Sequence, residues 1–415
     1  MGNISEKRLR GKLELREFKL SALLDVTRAI NSKSSEDELL EHYSKALQTH
    51  LGIGRLVLYS VDLGRSFWRL LIANGVSSEV PETQPIEFFN KLNSGGISLA
   101  GVEGLNNHSF DIVIPVYKAD VVIAFVLAGD KEEDAPGMSP VVKHLNFIQT
   151  LTNILVVALR NRELVEENLR QAGVRKELEL AGEMQAMLLP KVWPEDSKID
   201  VSGYYQPHQQ IGGDYYDCFL TGVDQVVMCM ADVSGKGVGA AILMSNFQAN
   251  VRAIFNSGSK PLIEKVQELN TRVMDSAQGE KFITFFVAVY DKKSNSLEYV
   301  NCGHNPPLWI DAQGHSLLLE LGAVGLGMFK ELPTIVSGNV EVLSGSTLIC
   351  YTDGLVEQEN EKSEEFGMTR LEEIVRQGEG LTIDAMHSTM VKSLKDFRGS
   401  TPPLDDTALL SCRFR

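Results

Sequence analysis

The chain has 415 residues, of which 43% are hydrophobic and 23% charged, and its net charge is −15 at pH 7. This length predicts two or three domains with sizeable cores, and the composition argues against long disordered stretches. The excess of acidic residues argues against binding to nucleic acid or anionic lipid through charge alone. The charged N-terminus lacks the apolar centre of a signal peptide, and no apolar run approaches about 18 residues. We therefore expect neither secretion nor a membrane span.

Cysteine usage indicates a reducing compartment. None of the cysteines lies in a C-x-x-C pair, and most lie within apolar, strand-like runs. This pattern predicts buried thiols rather than disulfides or a zinc site, and hence a cytoplasmic protein. The five residues are Cys218, Cys229, Cys302, Cys350 and Cys412.

The first 150 residues are predicted to form a mixed α and β domain. Apolar residues recur at helical spacing over 9–30, and Ser34 or Ser35 could cap a second helix that ends at Ala46. A short helix is expected over 85–92. Strand-length runs rich in Val and Ile predict an antiparallel sheet; they cover 55–60, 67–73, 111–116 and 121–128.

Residues 140–189 contain almost no Gly or Pro and are predicted to be continuously helical. One interpretation is a single amphipathic helix that packs on its own domain. We favour a parallel coiled coil that joins two subunits, because the helix continues past one domain towards the next. Gly173 and Gly182 would weaken it locally, as suits a joint that can bend. The heptad positions are Leu151, Leu155, Ala158, Val165, Leu169 and Ala172. We assign residues 151–189 to a helical linker and switch segment.

Strand-like and helical segments alternate after Pro190, which predicts a sheet-and-helix domain over 190–415. Four acidic motifs punctuate this domain where strand-like runs begin or end. Each motif alone could be an ordinary turn or cap. Their acidic residues are Asp214, Asp217, Asp232, Asp353, Asp405 and Asp406.

Together the motifs predict a metal centre. Carboxylates at one edge of a sheet would repel one another unless a cation lay between them, and oxygen ligands without His or Cys favour Mg²⁺ or Mn²⁺ over Zn²⁺. Two such ions about 3.5–4 Å apart could activate a water and aim it at a phosphorus centre. Gly235-Lys236-Gly237 does not match a phosphate-binding P-loop. His304 and His208 are candidates for a general acid or a ligand, but loop geometry explains them better.

The C-terminal half resembles the metal-dependent PPM-type protein phosphatases (the protein phosphatase 2C superfamily), in particular their SpoIIE-like branch, which regulates sigma factors. The resemblance covers about residues 177–415. It depends on the segment Glu179–Pro190, the acidic motifs in order, Gly303–Pro307 and Glu365–Gly367. It implies an α+β fold in which two antiparallel sheets form an α-β-β-α sandwich.

The resemblance also implies site residues and chemistry. Asp232 would bridge two divalent ions, Mn²⁺ or Mg²⁺, and the Val233 carbonyl would be a backbone ligand. Asp214 would bind one ion, and Asp353 and Asp405 the other, with Asp406 as the alternative to Asp405. Asp232 and Asp214 are thus the predicted catalytic residues. The reaction would be hydrolysis of phosphoserine or phosphothreonine by metal-activated water. Ser234 replaces the histidine of many superfamily members, which leaves water as the expected proton source.

The first domain resembles a GAF domain in its order of elements. This implies that it senses a small molecule or a protein, and it agrees with a homodimer. The leading prediction is a signal-regulated protein phosphatase whose substrate is a phosphorylated regulatory protein, by family analogy an anti-sigma factor antagonist. The alternatives are a catalytically silent signalling scaffold and a small-molecule phosphohydrolase. Neither nucleic acid nor membrane is an expected partner.

Overall fold

The computed structural model describes residues 2–32, 34–62, 64, 66–76, 80–89, 110–118, 121–130, 139–258, 260–378 and 380–415. The chain divides into two compact units, Met1–Gln171 and Ala172–Arg415. The first unit is an antiparallel sheet with helices, as expected. Its elements are α1 (Gly2–Asn31), α2 (Glu36–Leu51), β1 (Ile53–Val61), β2 (Phe67–Asn74), β3 (Thr83–Pro85), β4 (Ile112–Lys118), β5 (Val121–Asp130) and the start of α3 (Pro140–Gln185). The strand order is β3-β2-β1-β5-β4.

Ser35 begins α2 by a reciprocal capping box. Its side chain accepts a hydrogen bond from the Glu38 amide (3.2 Å), and the Glu38 carboxylate accepts one from the Ser35 amide (2.9 Å). The helix continues to Leu51 rather than ending at Ala46, because Leu47 and Leu51 are buried in the core. The helix predicted over 85–92 is a 3₁₀ turn, Ile86–Phe89, and positions 90–92 lie outside the described residues.

Helix α3 changes character along its length. Its first half contributes buried residues to the core of the first unit, and these include the heptad positions Leu151 and Leu155. Further along the helix, Val165 and Leu169 are 55% and 68% exposed. Among the described residues, α3 is the one helix long and apolar enough to span a membrane by length and composition. In its most apolar stretch 44% of the residues are buried within the protein.

The second unit contains two sheets. The first has the order β13-β10-β9-β8-β7, with β14 also paired to β10, and the second has the order β12-β11-β15-β16-β6. The pair β10–β13 is parallel, an exception to the predicted antiparallel sheets. The strands are β6 (Ile199–Gln206), β7 (Tyr215–Thr221), β8 (Gln225–Val233), β9 (Ile283–Asp291), β10 (Ser296–Cys302), β11 (Leu308–Ile310), β12 (Ser316–Leu318), β13 (Gly322–Ala323), β14 (Gly338–Glu341), β15 (Thr347–Tyr351) and β16 (Thr407–Phe414).

Helices flank the two sheets of the second unit. They are α4 (Val238–Asn256), α5 (Leu262–Ala277), α6 (Asp353–Val356), α7 (Gly367–Gln377) and α8 (Ile383–Arg398). Residues from both sheets, α4 and α5 share one core, and α6, α7 and α8 cover the second sheet through a separate apolar cluster. All five cysteines are free and buried, as predicted. The alternating α and β segments of the sequence thus form the expected α+β sandwich.

Candidate metal centre

Strand register brings the first two acidic motifs together. In the antiparallel pair β7–β8, Tyr215 lies opposite Ala231, so Asp214 and Asp232 are the next facing positions. Asp214 is buried, and Asp232 is partly buried at the end of β8. Two carboxylates from consecutive strands thus meet at one edge of the first sheet.

The other two motifs meet on the second sheet. Strands β15 and β16 pair with Tyr351 opposite Leu409, and the pairing continues through a hydrogen bond from the Thr352 amide to the Ala408 carbonyl (3.1 Å). Asp353 follows β15 and Asp405 precedes β16, so both lie at the same edge. Gly354 allows this close approach, because a Cβ there would lie 2.1 Å from the Asp406 carbonyl oxygen.

The two pairs of carboxylates influence one another. Burial, together with the neighbouring Asp232 and Asp406, raises the pKa of Asp214 well above its usual range. Burial and the charge of Asp353 likewise raise the pKa of Asp232. The pKa of Asp353 is raised by burial and by Asp405. The motifs therefore form one electrostatic cluster across the two sheets, in which negative charge is not fully compensated.

Asp405 and Asp406 have different partners. The Asp406 carboxylate accepts hydrogen bonds from the backbone amides of His208 (2.7 Å) and Gly213 (2.6 Å), which fix it to the loop before Asp214. Asp405 instead forms an ion pair with Lys236, whose Nζ lies 2.7 Å from Oδ2. This hydrogen bond raises the pKa of Lys236. Asp405 is therefore the member of the pair whose oxygen can exchange partners.

The described residues contain no group of three or more His, Cys, Asp or Glu side chains placed to hold a metal ion. The chemistry of the cluster nevertheless fits a hard divalent cation. Oδ2 of Asp214 is buried and has no hydrogen-bond partner in the described part of the chain. An unpaired carboxylate oxygen among like charges is what an oxygen-binding cation would satisfy. We conclude that the acidic residues are gathered but not arranged as a complete ligand set.

Val233 and Gly213 support the same site through the backbone. A Cβ on Gly213 would lie 3.1 Å from the Val233 carbonyl oxygen and 3.5 Å from Asp232 Oδ1. The absence of a side chain at Gly213 therefore keeps the predicted backbone ligand and the predicted bridging carboxylate accessible.

Three of the singled-out residues have other hydrogen-bond partners. Asp217 is fully buried and accepts two hydrogen bonds from Arg252 (2.7 and 2.8 Å), so this ion pair is separate from the acidic cluster. His304 is buried beside Thr284, and burial lowers its pKa to about 4. Ser234 accepts a hydrogen bond from the Phe282 amide (2.9 Å). These contacts favour structural roles.

Two residues contact the acidic cluster or its loops although the sequence did not predict a functional role for them. They are Gln185 and Lys236. Gln185, at the end of α3, donates to the Gly212 carbonyl (2.7 Å) and accepts from the Gly212 amide (3.1 Å). Gln185 lies within the segment Glu179–Pro190, which contributes to the family resemblance, but no local pattern in the sequence distinguishes the glutamine from its neighbours. Lys236 was considered only as part of a P-loop, because its partner Asp405 lies 169 positions away.

The chain is similar to known proteins over its C-terminal half. Residues 222–415 match the sequence profile of the family described as Stage II sporulation protein E (SpoIIE). The solved SiaA-PP2C domain of Pseudomonas aeruginosa superposes with a TM-score of 0.53 at 20% identity, over 59% of this chain and 99% of that one. Residues 222–415 are therefore similar to the SpoIIE family. The structural match shows that the unit has the PP2C fold, as the motifs predicted.

Two curated relatives extend the comparison. Protein IcfG of Synechocystis sp. is 25% identical over 341 residues, which cover 75% of this chain and 53% of the relative. Phosphoserine phosphatase RsbU of Bacillus subtilis is 26% identical over 188 residues, which cover 45% of this chain and 55% of the relative. The chain thus spans about half the length of these relatives. Asp214 precedes the range matched to the SpoIIE family, so its place in the cluster depends on the structure, through the β7–β8 register and the hydrogen bond from the Gly213 amide to Asp406.

Proposed function

We propose that this protein is a metal-dependent serine/threonine protein phosphatase. The observation that carries the proposal is the meeting of Asp214 with Asp232 and of Asp353 with Asp405, on two sheets whose carboxylates act on one another. The match of residues 222–415 to the SpoIIE family and the name of the relative RsbU support the same chemistry.

The ligands we propose are Asp214, Asp232, the Val233 carbonyl, Asp353 and Asp405. Bound Mn²⁺ or Mg²⁺ ions would supply an activated water and neutralise charge on the phosphoryl group. The residues of the chain have a positioning role. Asp406 and Gln185 fix the loop before Asp214 through its backbone, and Ser234 fixes the loop after Asp232. Because Ser234 stands where many members of the superfamily have a histidine, water remains the proposed source of the leaving-group proton.

The substrate we propose is a phosphorylated regulatory protein in the cytoplasm, of the anti-sigma factor antagonist class. The first unit would act as a GAF-like sensor of a small molecule or a protein, spanning residues 1–150, with a linker over 151–189 and the phosphatase domain over 190–415. The exposed apolar residues Val165 and Leu169 support a parallel homodimer through the second half of α3. Gln185 would then couple the end of this helix to the Asp214 loop.

Hydrolysis assays with the full chain test the proposal. Activity towards an aryl phosphate and a phosphoserine protein is expected with Mn²⁺, and it should disappear with chelator and in Asp232→Asn. Asp224→Asn is the matched control, because Asp224 forms a surface ion pair with Lys293 away from the cluster. A preference for sugar or nucleotide phosphates would contradict the protein substrate. Absence of metal-dependent turnover in both the full chain and residues 177–415 would favour a catalytically silent scaffold.

A further inference from the structure

The loop between β8 and α4 carries a basic side chain into the acidic cluster. Lys236 Nζ contacts Asp405 Oδ2 at 2.7 Å and donates to the Leu404 carbonyl at 3.0 Å. Among the described residues, no other basic side chain forms an ion pair with any of the five clustered carboxylates, Asp214, Asp232, Asp353, Asp405 and Asp406. Lys236 is therefore the cation of the cluster in this structure.

The backbone around Lys236 is fixed while its side chain is not. Gly235 and Gly237 on either side have φ values of 82° and 79°, a left-handed conformation that favours glycine. Lys281 Nζ donates to the Ser234 carbonyl (2.8 Å), which anchors the start of the loop. The Lys236 side chain is 51% exposed and reaches Asp405 on a flexible four-carbon stem. Its ammonium can therefore leave Asp405 without any change in the loop.

The contact that Lys236 can give up is with Asp405, which is one of the proposed metal ligands. Asp406 is held by two backbone amides, which cannot move away, whereas Oδ2 of Asp405 is held by a side-chain ammonium. An ammonium and a divalent cation cannot occupy the same oxygen together without strong repulsion. Once displaced, a cation on this short loop would remain beside the cluster, where a phosphoryl anion needs positive charge.

We propose that Lys236 is an exchangeable cation of this site, which neutralises Asp405 in the metal-free protein and binds the phosphoryl group of the substrate once Asp405 binds metal. The inference rests on the proposed phosphatase function and adds a residue that both opposes metal binding and positions substrate. An exposed ion pair of this kind contributes about 0.2–1 kcal/mol. Its removal should therefore tighten metal binding by about 1.4- to 5-fold, the same free energy expressed as an affinity ratio.

Mn²⁺ binding to the full chain tests the first half of the proposal, with affinity measured by titration calorimetry and electron paramagnetic resonance. Lys236→Gln is expected to bind Mn²⁺ more tightly than the wild type, and Lys236→Arg, which keeps the charge, should stay close to the wild type. Lys293→Gln is the matched control, because Lys293 Nζ also lies 2.7 Å from an aspartate, Asp224. Unchanged or weaker Mn²⁺ binding in folded Lys236→Gln would overturn the proposal.

Inorganic phosphate titrated into the Mn²⁺-saturated protein tests the second half. Lys236→Gln is expected to weaken phosphate binding several-fold, and Lys236→Arg to restore most of it, whereas equal affinities in all three proteins would overturn the phosphoryl-binding role. Thermal melting of each variant establishes that it is folded. Neither measurement needs turnover, so a failure of the phosphatase assay and a failure of this inference are distinguishable.

Discussion

Gln185 binds both polar groups of the Gly212 backbone, with its amide nitrogen 2.7 Å from the carbonyl oxygen and its amide oxygen 3.1 Å from the backbone nitrogen. The side chain is buried, and it joins the last turn of α3 to the loop that carries Asp214. Two hydrogen bonds in a buried place make this contact costly to remove, because both backbone groups would be left without partners.

Gln185→Ala is therefore expected to lower the free energy of unfolding by about 1–3 kcal/mol. Chemical denaturation of the full chain measures the change. Gln171→Ala is the control, since Gln171 is an exposed residue of the same helix. Equal stability of the two variants would mean that water replaces the lost hydrogen bonds.

Two glycines of α3 should respond oppositely to the same substitution. A Cβ on Gly182 would lie 2.0 Å from the Gln210 carbonyl oxygen, whereas a Cβ on Gly173 would have no heavy atom within 4 Å. Gly173→Ala is expected to stabilise the helix by about 1 kcal/mol through helix propensity. Gly182→Ala is expected to destabilise the protein, because the new methyl group would clash with the Gln210 carbonyl and the backbone there would have to move. Thermal melting of both variants checks the signs, and stabilisation by Gly182→Ala would contradict the close packing.

Arg252 should be essential to stability because its partner is fully buried. The Asp217 carboxylate accepts two hydrogen bonds from Arg252 and one from the Tyr215 hydroxyl. Arg252→Met would leave a buried charge without a counter-ion and should cost about 3 kcal/mol in urea denaturation. Arg272→Met is the control. Its free energy of unfolding is expected to stay within about 0.5 kcal/mol of the wild type, because Arg272 is exposed and its guanidinium nitrogen lies 3.8 Å from the Glu268 carboxylate oxygen. Similar losses in both variants would contradict this interpretation.

The buried position of His387 predicts that the free energy of unfolding decreases at acidic pH. Burial lowers its pKa to about 4 in the folded protein, and neither ring nitrogen has a hydrogen-bond partner among the described residues. As the pH falls from about 6.5 towards 4, His387 binds a proton in the unfolded chain but stays neutral in the folded chain. The unfolded state is therefore favoured, and the free energy of unfolding decreases. At pH 5 this loss is about 2 kcal/mol relative to neutral pH.

His387→Leu should remove this part of the pH dependence. The difference in unfolding free energy between variant and wild type is then expected to grow in favour of the variant between pH 7.5 and pH 5. Denaturation curves at the two pH values measure it. A difference that does not change with pH would contradict the lowered pKa of His387 in the folded protein.

The second half of α3 should control association and activity. Val165 and Leu169 are exposed apolar residues at heptad positions. Leu169→Glu is expected to shift a dimer towards monomer in light scattering, because a charge would lie in the apolar seam. Four residues inserted after Asn168 should alter phosphatase kinetics, since the insertion changes the heptad register. Unchanged association in the first variant would contradict the coiled coil, and unchanged kinetics in the second would contradict signalling through it.

The sequence by itself determined the fold class, and it predicted the acidic motifs from which the cluster is built. Strand-like runs and acidic motifs are local patterns: apolar alternation requires burial, and Asp beside Gly at a strand end is recognisable without the third dimension. A cap for α2 at Ser34 or Ser35 was readable for the same reason, because cap and partner lie within four residues, and the structure decided for Ser35. The motifs in order were also enough to indicate the PP2C fold.

Only the tertiary structure decided how those residues are used. It placed Asp217 against Arg252 and away from the cluster, and it paired Asp405 with Lys236 and Asp406 with backbone amides. It also gave Gly182 a packing role, where the sequence suggested a weak point in a helix. These relationships join positions far apart along the chain. They depend on strand register and on the close approach of backbones, and neither leaves a local signal in the amino-acid sequence.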